Sequence, residues 1–523
     1  MVFSGLSLSA QTNVWSNPST WPGGVLPGVN SNVVIPAGQH IVLDISPPNL
    51  GTVTVFGKLS FADVPIDLFA DWIMINAGEF EVGTQASPLS SKVSITLTGD
   101  TADVLPDMGN RFIAAMNGGI INLHGVSRDE TSWSLLDQTA NAGNNSIKLV
   151  QTPTWKVGDK IAISASGVDP RESEVVTVTG VSGTYVSFTP PLLYKHFGET
   201  QTIDSQLLDM RAEVILLTRN ITIQGDNDPD IHKIGGHLMI MLGSKGYIEG
   251  VEFFKMGQIG RQGRYPCHWH LSGPNYDNYA KNNSVHQSFH RAFVIHQTNG
   301  VTLDYNVAYD INSHAFVVAE DGNEEDNIIT NNVGMLIKKL RSTEFAFASD
   351  IIVGGSSQSE HRPGVFWMKN PNNIIRNNRA AGTVDGIGFF YDGPGTATSL
   401  PIDFFKDNIS HSNYSYFSPD AFDRYPPRTH GHGIFIREDA IDGVVYDFKD
   451  FTTYKNSLSG VWLEDYNQQM TNAIVADCGT GAILMRGKLF DSKIIHQSNN
   501  LSLPTDKDYG GINTIEGHGR KKD

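Results

Sequence analysis

The segment Gly263-Arg-Tyr-Pro-Cys-His-Trp-His-Leu-Ser-Gly273 sets two histidines, His268 and His270, at i and i+2. In an extended strand that spacing sends both imidazoles to one face. His286, His290, His296, His314 and the carboxylates Glu320 and Asp321 follow before residue 322. Such a set suits two chemistries, a histidine-ligated metal with open positions and proton transfer near neutral pH. With His296 supplied by a neighbouring strand, His268 and His270 complete a three-histidine site for a divalent ion, calcium or a transition metal. The competing reading makes one of the pair a hydrogen-bonded turn histidine, with no cofactor.

The elements that must place these groups are strands. Charged residues make up only 18% of the 523 residues, while Gly is abundant at 52. This is the composition of an all-β protein rich in tight turns. Between Asn13 and Gly125, runs such as VVIPAGQHIVLD, TVTVFGKLSF and KVSITLTG are separated by turn residues about ten apart. They read as a β-sandwich, a barrel or a β-solenoid cap. From 126 to 230, short strand-like runs around Ile147, Ile161, Val176 and Val186 predict a small β-barrel-like domain. From 231 to 515 the pattern repeats. Asn283, Asn306, Asn332, Asn378, Asn408 and Asn456 mark corners. Apolar runs follow them, among them AFVIH, AFVVAED, GVFWMK, GIGFFYD, GIFIRE and GVWLED. A repeat of that length with one apolar strand per turn is a solenoid, here a parallel β-helix with hydrogen-bonded asparagine ladders.

Composition also excludes. A formal charge of −17 argues against general nucleic-acid binding. No stretch approaches the roughly 18 apolar residues of a membrane span. The two cysteines, Cys267 and Cys478, form no zinc-type pair. Residues 1–12 read as the remnant of an export signal, and 516–523 as a polar tail. One stretch runs against the acidic background. From Lys255 to Arg291 there are five basic residues (Lys255, Arg261, Arg264, Lys281 and Arg291) and one acid, Asp277. Such a patch holds an anionic ligand, unless it is only a solvated loop.

The residues carry a resemblance. Trp15 and Trp21 with PGG, then LPGVNSNVVIPAG, VFGKLSF and INAGEFEVGT, resemble the eight-glycine domain of the cell-migration-inducing hyaluronidase, transmembrane protein 2 and fibrocystin-like proteins. The stretches GNRFIAAMNGGIINLHG, GRYPCHWHLSG, NSHAFVVAEDGNEEDN and FWMKNPNNIIRNNRAAG are similar to the rest of that group, in the same order over about 500 residues. The resemblance implies a right-handed parallel β-helix in a secreted or membrane-anchored ectodomain. It implies hyaluronan depolymerisation for some members, while fibrocystin-like members share the architecture without known depolymerase activity. The short chain and its export-like start suit a bacterial secreted member.

The expected function is an extracellular or periplasmic hyaluronan-type glycosaminoglycan depolymerase, an endo-acting glycoside hydrolase. It would meet an anionic polysaccharide as a monomer, with no nucleic acid and no membrane span. A uronate lyase or a non-catalytic glycan-binding module is the alternative. Catalytic candidates are His268, His314, Glu320 and Asp321. Because Glu320 and Asp321 close one strand, they are expected to point oppositely, one acting and one structural. Substrate-binding candidates are Arg264, Tyr265, Trp269, Arg291, Asp392 and Arg437. Asp392, Arg437-Glu438-Asp439 and Glu464-Asp465 end apolar strands and would align along one groove if coils stack in register. Trp367, Phe390, Tyr391, Tyr414 and Trp462 lie near that track, though alternation makes most of them core residues. Coils about 4.8 Å apart bring carboxylates to the separation that hydrolysis needs, roughly 5–9.5 Å. A lyase would instead use an arginine or a metal to neutralise the uronate and a histidine or tyrosine as base.

Overall fold

The computed structural model describes residues 11–100, 108–126, 132–203, 205–226, 232–241, 243–341, 344, 362–393, 400–415, 430–437, 443–495, 497–500 and 515–517. Residues 1–10, Glu438 and Asp439, and 518–523 of the tail lie outside the described residues.

Three long parallel sheets run the length of the molecule: a first of fourteen strands that includes Tyr279–Lys281, a second of fourteen that includes Cys267–Pro274, and a third of twelve that includes Ser284–Ser288. Successive strands belong to different sheets, and each pairs in parallel with the equivalent strand one coil away. This is a parallel β-helix. The segment from 11 to 124 is part of it. Ile120–His124, for example, pairs with Glu79–Val82 on one side and Lys245–Glu249 on the other. The G-rich N-terminal part is therefore the first coils of one continuous solenoid, and the expectation of a β-solenoid cap is the one met.

Corners between the first and third sheets are made by two residues. The first adopts positive φ: Asn282, Tyr305, Asn331, Asn377 and Asp407. Asn and Asp visit that region at low cost because the short polar side chain bonds locally. The second is the ladder asparagine. Asn283 donates to Asn306 Oδ1 (3.0 Å), Asn306 to Asn332 (3.1 Å), Asn332 to Asn378 (3.0 Å) and Asn378 to Asn408 (3.1 Å). Each amide also donates to a backbone carbonyl of the coil below, as Asn332 does to Leu303 (2.9 Å). Asn456 does not extend this ladder. It pairs with Asn413 (2.7 Å), because Thr452 pairs with Ile409 and so puts Phe451 in the corner position. Inside, a phenylalanine stack of Phe293, Phe316, Phe366 and Phe389 runs up the second sheet. Ring centroids are 4.7–5.2 Å apart with planes within 9°.

Residues 133–216 interrupt the solenoid with six antiparallel strands. A bridge between Leu136 and Leu149 links the two outer strands and closes the sheet into a small barrel with its own core. Ala162, Ile215 and Leu217 of the barrel pack on Val307, Tyr309, Val333, Met335 and Ala381 of the third sheet. The barrel thus sits on a different face of the helix from the one that carries His268 and His270.

Candidate functional site

The strand Cys267–Pro274 lies in the second sheet. Alternation turns Cys267 and Trp269 into the core and His268 and His270 to the outer face. Register then does the assembly. His270 pairs with His296 of the strand Phe293–Asn299, and His268 with Val294. The rings of His268 and His270 have centroids 4.9 Å apart, and those of His270 and His296 5.0 Å. One ring nitrogen from each of the three lies within 4.8 Å of the others. The expected grouping of these three histidines is what the sheet produces.

The carboxylates meet the same imidazoles. The strand Phe316–Val318 ends before Glu320, so Glu320 and Asp321 are loop residues free of strand alternation. Both converge on His296, which corrects the expectation that they point oppositely. Glu320 Oε2 is 3.3 Å from His296 Nδ1, and His296 Nε2 donates to Asp321 Oδ2 at 2.9 Å. Glu320 Oε1 accepts from Tyr265 Oη (3.1 Å) and pairs with Arg291. Gln297 donates its amide to Asp321. Partial burial pushes the Asp321 carboxyl up, but the Gln297 and His296 hydrogen bonds outweigh it and hold it below the usual range. Burial, and then the neighbouring His296, push His270 below the ordinary imidazole value. His268 is fully buried, and desolvation followed by His270 drives it well down.

Several candidates turn out to be walls. Trp269 is buried in the core, where its indole donates to Asn278 Oδ1 (3.1 Å), so it is not a substrate contact. Tyr265 and Arg291 are buried behind Glu320. The guanidinium lies 5.2 Å from the Tyr265 ring centroid and 5.1 Å from that of Trp367. They orient the carboxylate rather than face solvent. Arg264 is buried and donates to Gln258 Oε1 (3.2 Å). His314 is buried too. It accepts from the Gly364 N–H (2.9 Å), and its ring stacks 4.5 Å from Trp367. His290 accepts from the Arg291 N–H, and His286 pairs with Glu252 on the third sheet.

The basic stretch does not form one patch. One coil wraps all three faces, which disperses it. Lys281 lies over Tyr279 in the first sheet, Lys255 over Phe254 at the third, and Arg291 is buried at the second.

The track beyond the histidines does stack. Asp392 pairs in register with Arg437 and binds it at 3.0 Å. Lys369, one residue past Met368, stands in the same column, because Met368 pairs with Tyr391. Its Nζ reaches the Glu320 carbonyl (3.4 Å). Sequence reasoning passed over Lys369, although it closes the run GVFWMK as Asp392 closes GIGFFYD. Asp465 instead caps a turn by accepting from the Asn467 N–H (2.9 Å). Among the aromatics, Trp367, Phe390 and Phe435 form a buried cluster with Tyr265, Val294 and Val317, and Tyr391 lies in the core. Glu324 was also missed. It accepts from the backbone of Gln297 (3.0 Å) and Gly322 (3.0 Å) and so pins the loop holding Asp321 against the histidine strand.

Among the described residues no helix is long and apolar enough to cross a membrane. Residues 20–137 match the model of the G8 domain, and residues 233–417, which contain every group of the histidine–carboxylate cluster, match that of the CEMIP beta-helix. Fibrocystin-L of Mus musculus is 34% identical over 477 residues, covering 80% of this chain and 11% of that protein. The Homo sapiens protein is 33% identical over 536 residues, covering 90% and 12%. A G8 domain-containing protein of Dictyostelium discoideum is 30% identical over 443 residues, 77% of this chain and 37% of that protein. The chain thus spans about a tenth of the length of the fibrocystin-L proteins it matches. The tailspike gp61 of Pseudomonas phage phi297 is similar at 11% identity with a TM-score of 0.21, over 86% of this chain and 74% of that one. A G8 domain thus leads into a CEMIP-type β-helix along one solenoid, and fibrocystin-L and G8 domain-containing proteins are homologues of this chain.

Proposed function

We propose that the outer face of the second sheet is the active site of an extracellular, endo-acting glycosidase that shortens an anionic, hyaluronan-type glycosaminoglycan. The observation that carries this reading is the convergence of Glu320 and Asp321 on His296, in line with Lys369, Asp392 and Arg437. The Asp321 side chain is 45% exposed, while Glu320 is fixed from behind by Tyr265 and Arg291. An exposed, ionised carboxylate suits the nucleophile or base of glycoside hydrolysis, which also requires a protonated group to donate to the leaving oxygen. Asp321 takes the proton or attacks. Lys369 offers its cation to a uronate. The resemblance to the cell-migration-inducing hyaluronidase supports a polymer of this class.

Elimination is the second reading, favoured by the His296–Asp321 contact, which suits a general base. Incubating purified protein with hyaluronan or chondroitin and sizing the polymer tests both. Shortening without ultraviolet-absorbing unsaturated ends marks hydrolysis, and with them, elimination. Asp321→Asn should stop either reaction with the fold retained. A polymer that binds but is never shortened, from acid to neutral pH and with added divalent metal, would leave a binding module, as the fibrocystin-like resemblance allows.

A further inference from the structure

The histidine cluster is incomplete as a set of hydrogen bonds. His268 is 0% exposed, and its Nδ1 lies 2.8 Å from the Gly263 carbonyl, so that nitrogen carries the proton. Its Nε2 is then a bare lone pair, buried and, among the described residues, without a hydrogen-bond partner. Buried polar atoms in native proteins are nearly always satisfied, and an exception needs a cause such as a bound ion. The Nδ1 atoms of His270 and His296 face each other at 3.0 Å. Two nitrogens bound to one tetrahedral zinc at about 2.0–2.1 Å lie roughly 3.3 Å apart, so the observed pair needs only a small opening.

The surroundings match those of ligating histidines. Such residues give their second ring N–H to a carboxylate or a backbone carbonyl, which fixes the tautomer. His296 makes that contact with Asp321 (2.9 Å) and His268 with Gly263. Glu320 presents Oε2 3.3 Å from His296 Nδ1, while its other oxygen is held by Tyr265 and Arg291. We propose that His268, His270 and His296 bind one late first-row divalent ion, Zn2+ foremost, with the fourth position open. Three imidazoles are donors such ions take, whereas calcium requires six to eight oxygens. The site holds its ion whether or not the polymer reading is right, because its geometry invokes no substrate.

The test uses the full chain made without a polyhistidine tag, stripped with chelator, exposed to Zn2+ or Ca2+ and dialysed. Metal content by mass spectrometry and affinity by calorimetry are read together with the thermal midpoint. One zinc per chain, no retained calcium and a raised midpoint are expected. The double variant His270→Ala/His296→Ala, at the outer face of the sheet, should retain less than a tenth of an equivalent while circular dichroism shows the fold intact. Asp321→Asn should weaken binding about 10- to 100-fold, the usual effect of losing an outer-shell partner. Zinc content near zero in the unaltered chain, retention of calcium in its place, or an undiminished zinc equivalent in the double variant would overturn the assignment. Polymer shortening is not among these readouts, so the metal site and the glycosidase reading fail separately.

Discussion

At the scale of single residues, the Glu320–Arg291 pair shows how the site spends stability on orientation. Arg291 is 2% exposed and lies against two aromatic rings as well as the carboxylate. Removing the charged acceptor of a buried hydrogen bond costs about 1.5–3 kcal/mol. Glu320→Gln should therefore lower stability by about that much in denaturant titration, and Glu320→Gln/Arg291→Met should recover part of it. Tyr265→Phe removes only a hydroxyl donor to Glu320 and should cost about 1 kcal/mol. An equal loss in both single variants would show that Arg291 does not depend on Glu320. Much at this scale was legible. Two histidines at i, i+2 dictate a shared face, and they share one. The same rule places Trp269 between them in the core, and assigning it to substrate ignored that rule. Glu320 and Asp321 were misjudged for another reason. The strand stops at Val318, and no residue type announces that end.

At the scale of elements, the coil is what brings distant residues together. His270 and His296 are 26 residues apart in sequence and adjacent in register. The asparagine ladder fixes that register at the corners, since each amide bonds both to the next asparagine and to a carbonyl below it. Asn332 sits mid-ladder and is fully buried, with its amide donating to Asn378 (3.0 Å) and to Leu303 (2.9 Å). Asn332→Ala removes the donor to the Leu303 carbonyl and the Oδ1 that accepts from the Asn306 backbone N–H (2.9 Å), each buried loss costing about 1–3 kcal/mol. The expected result is a lowered denaturant midpoint. Asn456→Ala should leave the Asn283–Asn408 ladder untouched, because Asn456 bonds to Asn413. Amide hydrogen exchange on the two variants, read at residues 306 and 378, checks this. Faster exchange there in the Asn456 variant would contradict the separation of the ladders. The ladder asparagines could be picked out by recurrence alone. The change of ladder at Asn456 could not, because it depends on which residue of a coil turns the corner. The basic stretch failed for a related reason. Neighbours in sequence spread over three faces once the chain coils.

At the scale of the molecule, the small barrel is fastened to the solenoid by charge as well as by apolar packing. Glu213 on the barrel is fully buried. It meets Arg379 at 2.9 Å and His411 at 3.0 Å, both from the third sheet, and it accepts from Ser164 at 2.7 Å. Burial alone would raise this carboxyl. His411, Arg379 and Ser164 outweigh it and hold Glu213 far below the ordinary range. A carboxyl depressed on folding contributes stability that is fully present above its unfolded value, near 4.3. That stability is lost as pH falls below it, toward the folded value, because the unfolded chain takes up the proton first. The docked barrel should accordingly loosen in acid before the solenoid core does, since the core is held by apolar stacks and amide ladders that do not titrate. Limited proteolysis should cut between residues 126 and 230 below about pH 4, with the β-helix still protected. Glu213→Gln should be less stable at neutral pH, because Arg379 loses its carboxylate, and its thermal midpoint should fall less steeply in acid than that of the unaltered chain. Parallel acid profiles for the two proteins would mean that the Glu213 cluster does not set the acid sensitivity of the docking.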